Sequence, residues 1–263
     1  MPSPHHHGHD VGEKLYVHGH TPIHQLPAHV KVVAMVAFLF AVVATPPEQF
    51  WAFGVYAVIL VGVASVARIP ARTILPRMLV EVPFVLFAVL MPFFSPPPDV
   101  VILGVSVSEA GLIAGWGILA KGTLGVVSSI LLAATTPARD LLLGLEHLKV
   151  PALLVQIMSF MLRYIHVVTD EMHRMKLARQ ARGFEETGIR AWPAIARSGA
   201  ALFIRSYERG ERVHLAMLSR GYTGRLPDLH PVSVSRADWR TAMLLPAAGV
   251  VVASAAWYLQ LGW

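Results

Sequence analysis

Cysteine is absent from the 263-residue chain, and charged residues are scarce. The lack of cysteine excludes disulfide bonds and thiolate metal sites. Asp, Glu, Lys and Arg together make up 14% of the chain, whereas they make up about a quarter of an average soluble domain. Hydrophobic residues reach 55%, and the mean hydropathy is +0.56. This composition excludes an ordinary soluble domain and predicts an integral membrane protein.

Acidic residues are fewer than basic ones, which gives a net charge of +6 and a pI near 9.9. Such a balance is compatible with nucleic-acid binding. The basic residues, however, lie beside apolar segments, where cytoplasmic Lys and Arg collect in membrane proteins. We therefore expect the lipid bilayer as a partner and no nucleic acid.

The common catalytic signatures are also missing. The chain has no G-x-x-x-x-G-K-[ST] phosphate loop, no H-E-x-x-H and no G-x-S-x-G, which argues against an ATPase and a hydrolase. Residues 117–123 contain Gly, Lys and Thr, but the Lys and Thr are misplaced for a phosphate loop and the segment is apolar. The sequence predicts a protein that is not an enzyme, so any energy from ATP must come from another chain.

Long apolar stretches define the predicted fold class. A hydrocarbon core requires about 20 helical residues, so the shorter stretches must extend into flanking residues. Trp257, Tyr258 and Trp263 are suited to the membrane interface. The prediction is an all-α integral membrane protein with about five transmembrane helices plus two long cytoplasmic coupling helices. The predicted spans are 30–44, 49–66, 79–94, 110–134 and 241–259.

The loops between the spans predict the orientation. Residues 45–48 carry no basic residue, the next loop carries Arg68, Arg72 and Arg77, and the Pro-rich loop 95–109 carries only acidic charges. This alternation favours a cytoplasmic N-terminus. The alternative is a signal peptide that ends near residue 44, but a His-rich leader of 29 residues is a poor n-region.

The chain divides into a His-rich mobile leader (1–29), a four-span region (30–134), a cytoplasmic coupling-helix region (135–240) and a C-terminal transmembrane helix (241–263). The third region has a 3.5-residue apolar period, which predicts two helices that pack along narrow seams. On the second helix the Arg residues cover an arc of about 140°, so we expect one side to pack and the other to be basic. The first seam is Leu154, Met158, Met161, Ile165, Val168, Met172 and Met175; the second is Ala196, Ala200, Phe203, Tyr207, Gly210, His214 and Met217; the basic arc is Arg197, Arg205, Arg209, Arg212 and Arg220.

Both predicted helices end in the same way. The first ends with Ala181, Arg182 and Gly183, and the second ends with Ser219, Arg220 and Gly221. A Gly after the last turn predicts a left-handed C-cap, and an Arg there interacts favourably with the helix dipole. Two such ends in one region also favour a binding role, because the guanidinium is always charged and binds carboxylates in a bidentate manner.

These motifs resemble the transmembrane (T) component of energy-coupling factor (ECF) transporters, and most closely the cobalt-type CbiQ branch. The segment 176–184, KLARQARGF, is similar to the first Ala-Arg-Gly signature of that family. The segment 217–222, MLSRGY, is similar to the second, with Ser219 in place of the usual Ala. This departure leaves the Arg in place. The resemblance covers about residues 25–260.

The resemblance implies a non-catalytic coupling subunit in the bacterial inner (plasma) membrane. Its implied partners are two ATP-binding cassette ATPase subunits, which bind ATP, and a small substrate-capture membrane subunit. The implied docking residues are those of the two helix ends, with Arg182 and Arg220 each inserting into one ATPase. Co²⁺ or Ni²⁺ is the expected substrate of the whole complex, and no cofactor is expected on this chain.

Histidine provides the remaining metal hypothesis. Neutral imidazole suits cobalt, nickel and zinc, and His5, His6, His7 and His9 are predicted as weak metal ligands. His166, Asp170 and His173 share one helical face, which we interpret as a solvated surface. The Gly111-x-x-x-Gly115 motif permits close helix approach, either within this chain or to the capture subunit.

A stand-alone secondary transporter or channel for a divalent metal is the main alternative, and a membrane-bound enzyme is a weaker one. Secondary transporters place ionisable residues inside their spans. The predicted spans hold almost none, apart from Lys121 and Glu81. The coupling subunit is therefore the favoured prediction.

Overall fold

The computed structural model describes residues 16–95, 99–102, 105–184, 191–224 and 234–261, with the backbone alone for 99–102 and 105–107. The chain forms ten α-helices over these residues, together with a 3₁₀ segment and a two-stranded hairpin. The elements are α1 (Pro22–Gln25), α2 (Ala28–Ala44), α3 (Phe50–Val66), α4 (Ala71–Ile74), the 3₁₀ segment (Leu75–Glu81), α5 (Val82–Phe94), β1 (Asp99–Ile102), β2 (Val105–Ser108), α6 (Glu109–Thr135), α7 (Ala138–His147), α8 (Ala152–Ala181), α9 (Trp192–Leu218) and α10 (Arg236–Leu261).

The chain divides into two compact units, which are described separately. The membrane unit comprises Val11–Gly144 and Val232–Trp263, and the helix-pair unit contains Leu145–Pro231. The predicted all-α class is confirmed. The hairpin is the one departure from that class in the described part of the chain, with Asp99 opposite Ser108 and Ile102 opposite Val105. It lies in the Pro-rich loop, for which no strand was predicted.

Four stretches are long and apolar enough to cross a membrane: Ala71–Phe94, α6, α8 and α10. The helices α2 and α3 are apolar but shorter, with 17 residues each. Five of these six coincide with the predicted spans. The sixth, α8, was predicted to be cytoplasmic, and its length and composition alone would also suit a membrane span. Its cytoplasmic assignment therefore stays a prediction.

Aromatic and aliphatic side chains of α2, α3, α6 and α10 form the core of the membrane unit. Phe38 and Tyr56 are fully buried and meet edge to face, with ring centroids 5.6 Å apart. The Tyr56 hydroxyl donates to the Gly249 carbonyl at 3.1 Å and is 2.8 Å from the Thr45 hydroxyl. These bonds satisfy a buried phenol and join α3 to α2 and α10.

The G-x-x-x-G motif of α6 packs against α5. A Cβ atom at Gly111 would lie 2.6 Å from the Pro92 Cα, and one at Gly115 would lie 2.6 Å from the Ala88 carbonyl oxygen. Both glycines are buried within the unit. The structure thus decides between the two predicted roles: this motif allows close packing within the chain.

The end of the predicted leader makes specific hydrogen bonds in the structure, whereas residues 1–15 lie outside the described residues, so the mobility of the leader stays a prediction. The Val17 amide donates to the Ala134 carbonyl at 2.9 Å. His24 donates from Nε2 to the Val17 carbonyl at 3.0 Å, and its Nδ1 lies 2.7 Å from the Thr21 hydroxyl, from which it accepts when the ring is neutral. Burial lowers the pKa of His24 below its ordinary value of 6.5, and the charge of Lys31 and the neighbouring His20 lower it further, against the opposing Val17 bond.

In the helix-pair unit, α8 and α9 pack against each other as antiparallel helices. The Arg179 guanidinium donates to the Ser198 hydroxyl at 2.6 Å, near the end of α8 and the start of α9. Glu171 and Arg205 form an ion pair further along the two helices. The predicted pairing of the helices is therefore confirmed.

The predicted packing seams are wrong. On α9, Ser198 and Arg205 face α8, whereas Phe203 and Tyr207 of the predicted seam are 70% and 66% exposed. At 100° per residue, the α9 seam lies about 150° from the contact face. The basic arc therefore includes the packing side, and the apolar stripe faces away from α8. On α8, the seam residues Leu154, Met161, Ile165 and Met172 are likewise exposed.

Candidate functional site

The first Arg-Gly end closes α8 with a complete set of capping bonds. The Gly183 amide donates to the Gln180 carbonyl at 2.9 Å, and the Phe184 amide donates to the Arg179 carbonyl at 3.1 Å. Gly183 has φ +76°, a left-handed conformation that suits glycine because it has no Cβ. This is a Schellman motif, which satisfies carbonyl groups that the helix leaves free.

The second Arg-Gly end closes α9 with the same bonds. The Gly221 amide donates to the Leu218 carbonyl at 3.0 Å, the Tyr222 amide donates to the Met217 carbonyl at 3.0 Å, and Gly221 has φ +84°. The two left-handed glycine caps predicted from the sequence are thereby confirmed. Arg182 and Arg220 therefore occupy equivalent positions, one residue before the left-handed glycine.

Both guanidinium groups are exposed at these ends. Within the described part of the chain, neither Arg182 nor Arg220 has a side-chain hydrogen bond or ion pair. Ala181, Gly183, Ser219 and Gly221 are also exposed. The ends offer two charged groups that can each bind an external carboxylate without first breaking an internal contact.

The antiparallel arrangement separates the two Arg residues. Because α8 has 30 residues and α9 has 27, the pair is about 40 Å long at 1.5 Å per residue. Arg182 follows the last residue of α8, and Arg220 lies near the last residue of α9, so they lie at opposite ends of the pair. One small ligand cannot bridge them, whereas two separate partner sites can each receive one.

Gln156 holds the second end in place. Its amide nitrogen donates to the Gly224 carbonyl at 2.7 Å, and its amide oxygen accepts from the Tyr222 hydroxyl at 2.6 Å. The His214 ring meets Tyr222 edge to face, at 6.4 Å between centroids. Gln156 is only 9% exposed, Tyr222 is half-buried and Gly224 is exposed, and the two bonds connect the start of α8 to the segment that follows α9. We call this set of contacts the Gln156 clasp.

Sequence reasoning missed the Gln156 clasp. Gln156 lies in the apolar first turns of α8, and a lone polar residue there interrupts the period without indicating a partner. Its partner segment lies 66 to 68 residues away in the chain. The one available signal was a polar amide within an apolar helix, which predicts a buried hydrogen bond of unknown partner.

No group of three or more His, Asp and Glu side chains that could hold a metal occurs among the described residues. His166, Asp170 and His173 do not form such a group, and their interpretation as a solvated helix surface stays a prediction. His5, His6, His7 and His9 lie outside the described residues, and their weak metal binding stays a prediction. His24 has both ring nitrogens engaged, so metal coordination would first require the loss of a bond.

The fold and these two ends define the class: a multi-pass α-helical membrane protein with a helix pair that ends in two exposed Arg-Gly caps. Comparison with known families identifies it further. The chain belongs to the CbiQ family, described as cobalt transport protein, which matches residues 19–230.

Individual relatives carry two kinds of transport name. The energy-coupling factor transporter transmembrane protein EcfT of Bacillus subtilis is 27% identical over 223 residues, which cover 80% of this chain and 83% of that protein. The cobalt transport protein CbiQ of Rhodobacter capsulatus is 35% identical over 95 residues, 36% of this chain and 39% of that protein. An uncharacterized protein of Methanocaldococcus jannaschii is 35% identical over 118 residues. That match covers 44% of each chain, so the chain spans less than half of this relative.

Proposed function

We propose that this chain is the non-catalytic transmembrane coupling subunit of an ATP-driven ECF transporter for cobalt or nickel. Arg182 and Arg220 each dock into one of two ATP-binding cassette ATPase subunits, and the helix pair passes their motion to a small substrate-capture membrane subunit. The chain lies in the bacterial inner membrane with its N-terminus in the cytoplasm. The single observation that carries the proposal is the pair of equivalent, exposed Arg-Gly caps at opposite ends of one helix pair.

Charge and geometry support one Arg per ATPase. An exposed guanidinium forms a bidentate bond to a carboxylate without first losing an internal bond. A separation of about 40 Å suits two subunits of a dimer better than one binding groove. The rigid Schellman caps fix the direction in which each Arg leaves its helix, which lowers the entropy cost of docking.

The ionisable residues in the spans give less support to a stand-alone transporter. Lys121 donates to the Val43 carbonyl at 2.8 Å, and Glu81, which is buried, accepts a hydrogen bond from the Thr123 hydroxyl. Both groups thus have a partner within the membrane unit. An ion-transporting carboxylate or amine needs a position from which it can exchange its partner for the ion.

Charge reversal at the two caps tests the docking role. With the chain co-expressed beside its ATPase pair and capture subunit, Arg182→Glu with Arg220→Glu should abolish ATPase recovery in detergent pull-down. Each single variant should retain a complex with reduced ATPase content. The reason is that a carboxylate in the groove would be repelled where a guanidinium was bound.

The matched control is Arg197→Glu with Arg212→Glu. It changes the net charge by the same amount at exposed positions of α9 outside the caps, and it should leave ATPase recovery unchanged. Full ATPase recovery with the cap variants, or equal loss with the control, would contradict the docking assignment.

A further inference from the structure

Lys31 is a buried lysine whose three N–H bonds all have acceptors. It lies in the first turn of α2 and is 8% exposed. Its ammonium donates to the His24 carbonyl at 3.2 Å, the Thr135 carbonyl at 2.9 Å and the Thr136 hydroxyl at 3.1 Å. A lysine ammonium has three donors, so its hydrogen-bonding capacity is fully used within the protein.

The position of Lys31 is explained by α6 and not by its own helix. A positive charge in the first turn of α2 opposes the dipole of that helix. The same charge lies at the C-terminal end of α6, where carbonyl groups lack intrahelical donors and a cation is favourable. Lys31 thus acts as a cap supplied by another helix.

The leader closes the same helix end from a second direction. The Ala134 carbonyl accepts from the Val17 amide at 2.9 Å, next to the Thr135 carbonyl that Lys31 binds. His24 connects the two, because its ring binds the Val17 carbonyl and its own carbonyl accepts from Lys31. The last carbonyls of α6 are therefore held by segments far away in the chain. We call this set of contacts the α6 end cluster.

The helix that follows is fixed to the same end of α2. α7 begins two residues after Thr136. A Cβ atom at Gly144 would lie 2.8 Å from the His29 amide nitrogen and 3.0 Å from the Ala28 Cβ, so α7 and the start of α2 are in backbone contact. The chain then continues through the turn at Lys149 into α8. The chain therefore passes from α6 to α8 through α7, whose position is fixed by its contact with the start of α2.

We propose that Lys31 is a positioning residue for transport: it holds the α6–α7 junction rigid, so that displacement of α8 moves the membrane unit instead of bending the junction. This role rests on the proposed coupling function. A hinge at the same place would absorb the motion, because a few element-terminal residues are sufficient to take up a large change in backbone angles.

Lys121 provides the matched control within the same pair of helices. It also joins α6 to α2, but it binds the Val43 carbonyl near the other end of α2 and away from α7. Lys31→Met and Lys121→Met each remove one ammonium between α2 and α6 and keep a side chain of similar length.

The test measures Co²⁺ uptake per ATP hydrolysed in proteoliposomes that contain the complete complex. Lys31→Met should retain both ATPases in pull-down and hydrolyse ATP, whereas uptake per ATP should fall at least about fivefold, the lower end of usual coupling effects. Lys121→Met should keep the ratio of the unmodified complex. Hydrogen exchange of Lys31→Met should be faster over 138–147 and unchanged at the caps around Arg182 and Arg220.

A milder variant covers the case in which Lys31→Met does not fold. Thr136→Val keeps the shape of a buried residue and removes one of the three acceptors, and it should lower the ratio in the same direction by a smaller factor. An unchanged uptake per ATP in Lys31→Met, or in Thr136→Val where the first variant is not recovered, would overturn the inference. Equal loss in Lys121→Met would do so as well. Failure of the proposed function is distinguishable, since it would appear as ATPase recovery that survives the Arg182 and Arg220 reversals.

Discussion

The membrane unit and the helix-pair unit are both helical, but different forces hold their helices together. In the membrane unit, large side chains such as Phe38, Tyr56 and Leu60 are almost completely buried. In the described part of the helix-pair unit, the buried residues are Val155, Gln156 and Ala191, and α9 has none. Dispersion and close packing dominate the first unit, whereas a few polar contacts connect the helices of the second.

From this difference we expect the two units to respond differently to a partner. A closely packed core resists deformation, because small shifts cause steric overlap. A helix pair joined by separate polar contacts keeps its apolar surfaces exposed, as at Phe203 and Tyr207. Exposed apolar patches of this kind are typical of interaction surfaces. The contrast agrees with the proposed division into a supporting unit and a docking unit.

The largest expected effect comes from filling the contact between α5 and α6. Gly115→Ala places a Cβ atom 2.6 Å from the Ala88 carbonyl oxygen, and overpacking of this kind costs about 1–3 kcal/mol. We expect a lower melting temperature in detergent, which can be measured by fluorescence-detected size-exclusion chromatography. Gly125→Ala on the same helix meets nothing within 4 Å and should gain up to about 1 kcal/mol from helix propensity. A Gly115→Ala protein that melts at or above the unmodified one would show that this unit is not closely packed.

A smaller and more local effect is expected from the Gln156 clasp. Gln156→Leu removes the partners of the Tyr222 hydroxyl and the Gly224 carbonyl. Because Tyr222 is half-buried and Gly224 is exposed, water can replace the lost partners, and we expect a cost of about 1 kcal/mol. Hydrogen exchange should become faster over 219–224 and stay unchanged over 179–184, because separate contacts hold the two ends. Gln180→Leu changes an exposed Gln of the same helix and should affect neither end. Faster exchange at both ends in Gln156→Leu would mean that the pair unfolds as one cooperative unit.

The smallest effect concerns acidification of the leader. Because the pKa of His24 is lowered in the folded protein, its contribution to local order is present above its unfolded pKa and is lost as the pH falls through the folded value. Protonation removes the Nδ1 acceptor and adds a charge near Lys31. After correction for the intrinsic exchange rate at each pH, the Val17 amide should therefore be less protected at about pH 5 than at about pH 7.5. These two values lie on either side of the titration range of histidine.

Two variants decide whether His24 is responsible. His24→Gln should remove this pH dependence, and His18→Ala, at an exposed position, should leave it intact. If His18→Ala abolishes it and His24→Gln does not, the lowered pKa of His24 has no part in the order of the leader.

The sequence alone was sufficient for features that depend on local chemistry. The apolar stretches predicted the spans because hydrocarbon thickness sets a minimum length. Gly183 and Gly221 predicted left-handed caps because few other residues adopt a positive φ without strain. The resemblance of the segments around Arg182 and Arg220 to one family also agrees with the family match.

The tertiary structure alone decided which faces meet and which distant groups pair. The apolar period of α9 predicted a packing seam, yet Arg205 and Ser198 face α8 and the stripe stays exposed, because periodicity identifies an apolar face without naming what covers it. The same reason applies to the role of Gly111 and Gly115. Lys31 is the clearest example: its acceptors at Thr135 and Thr136 lie more than a hundred residues away. Only the fold brings an ammonium from one helix to the free carbonyls of another.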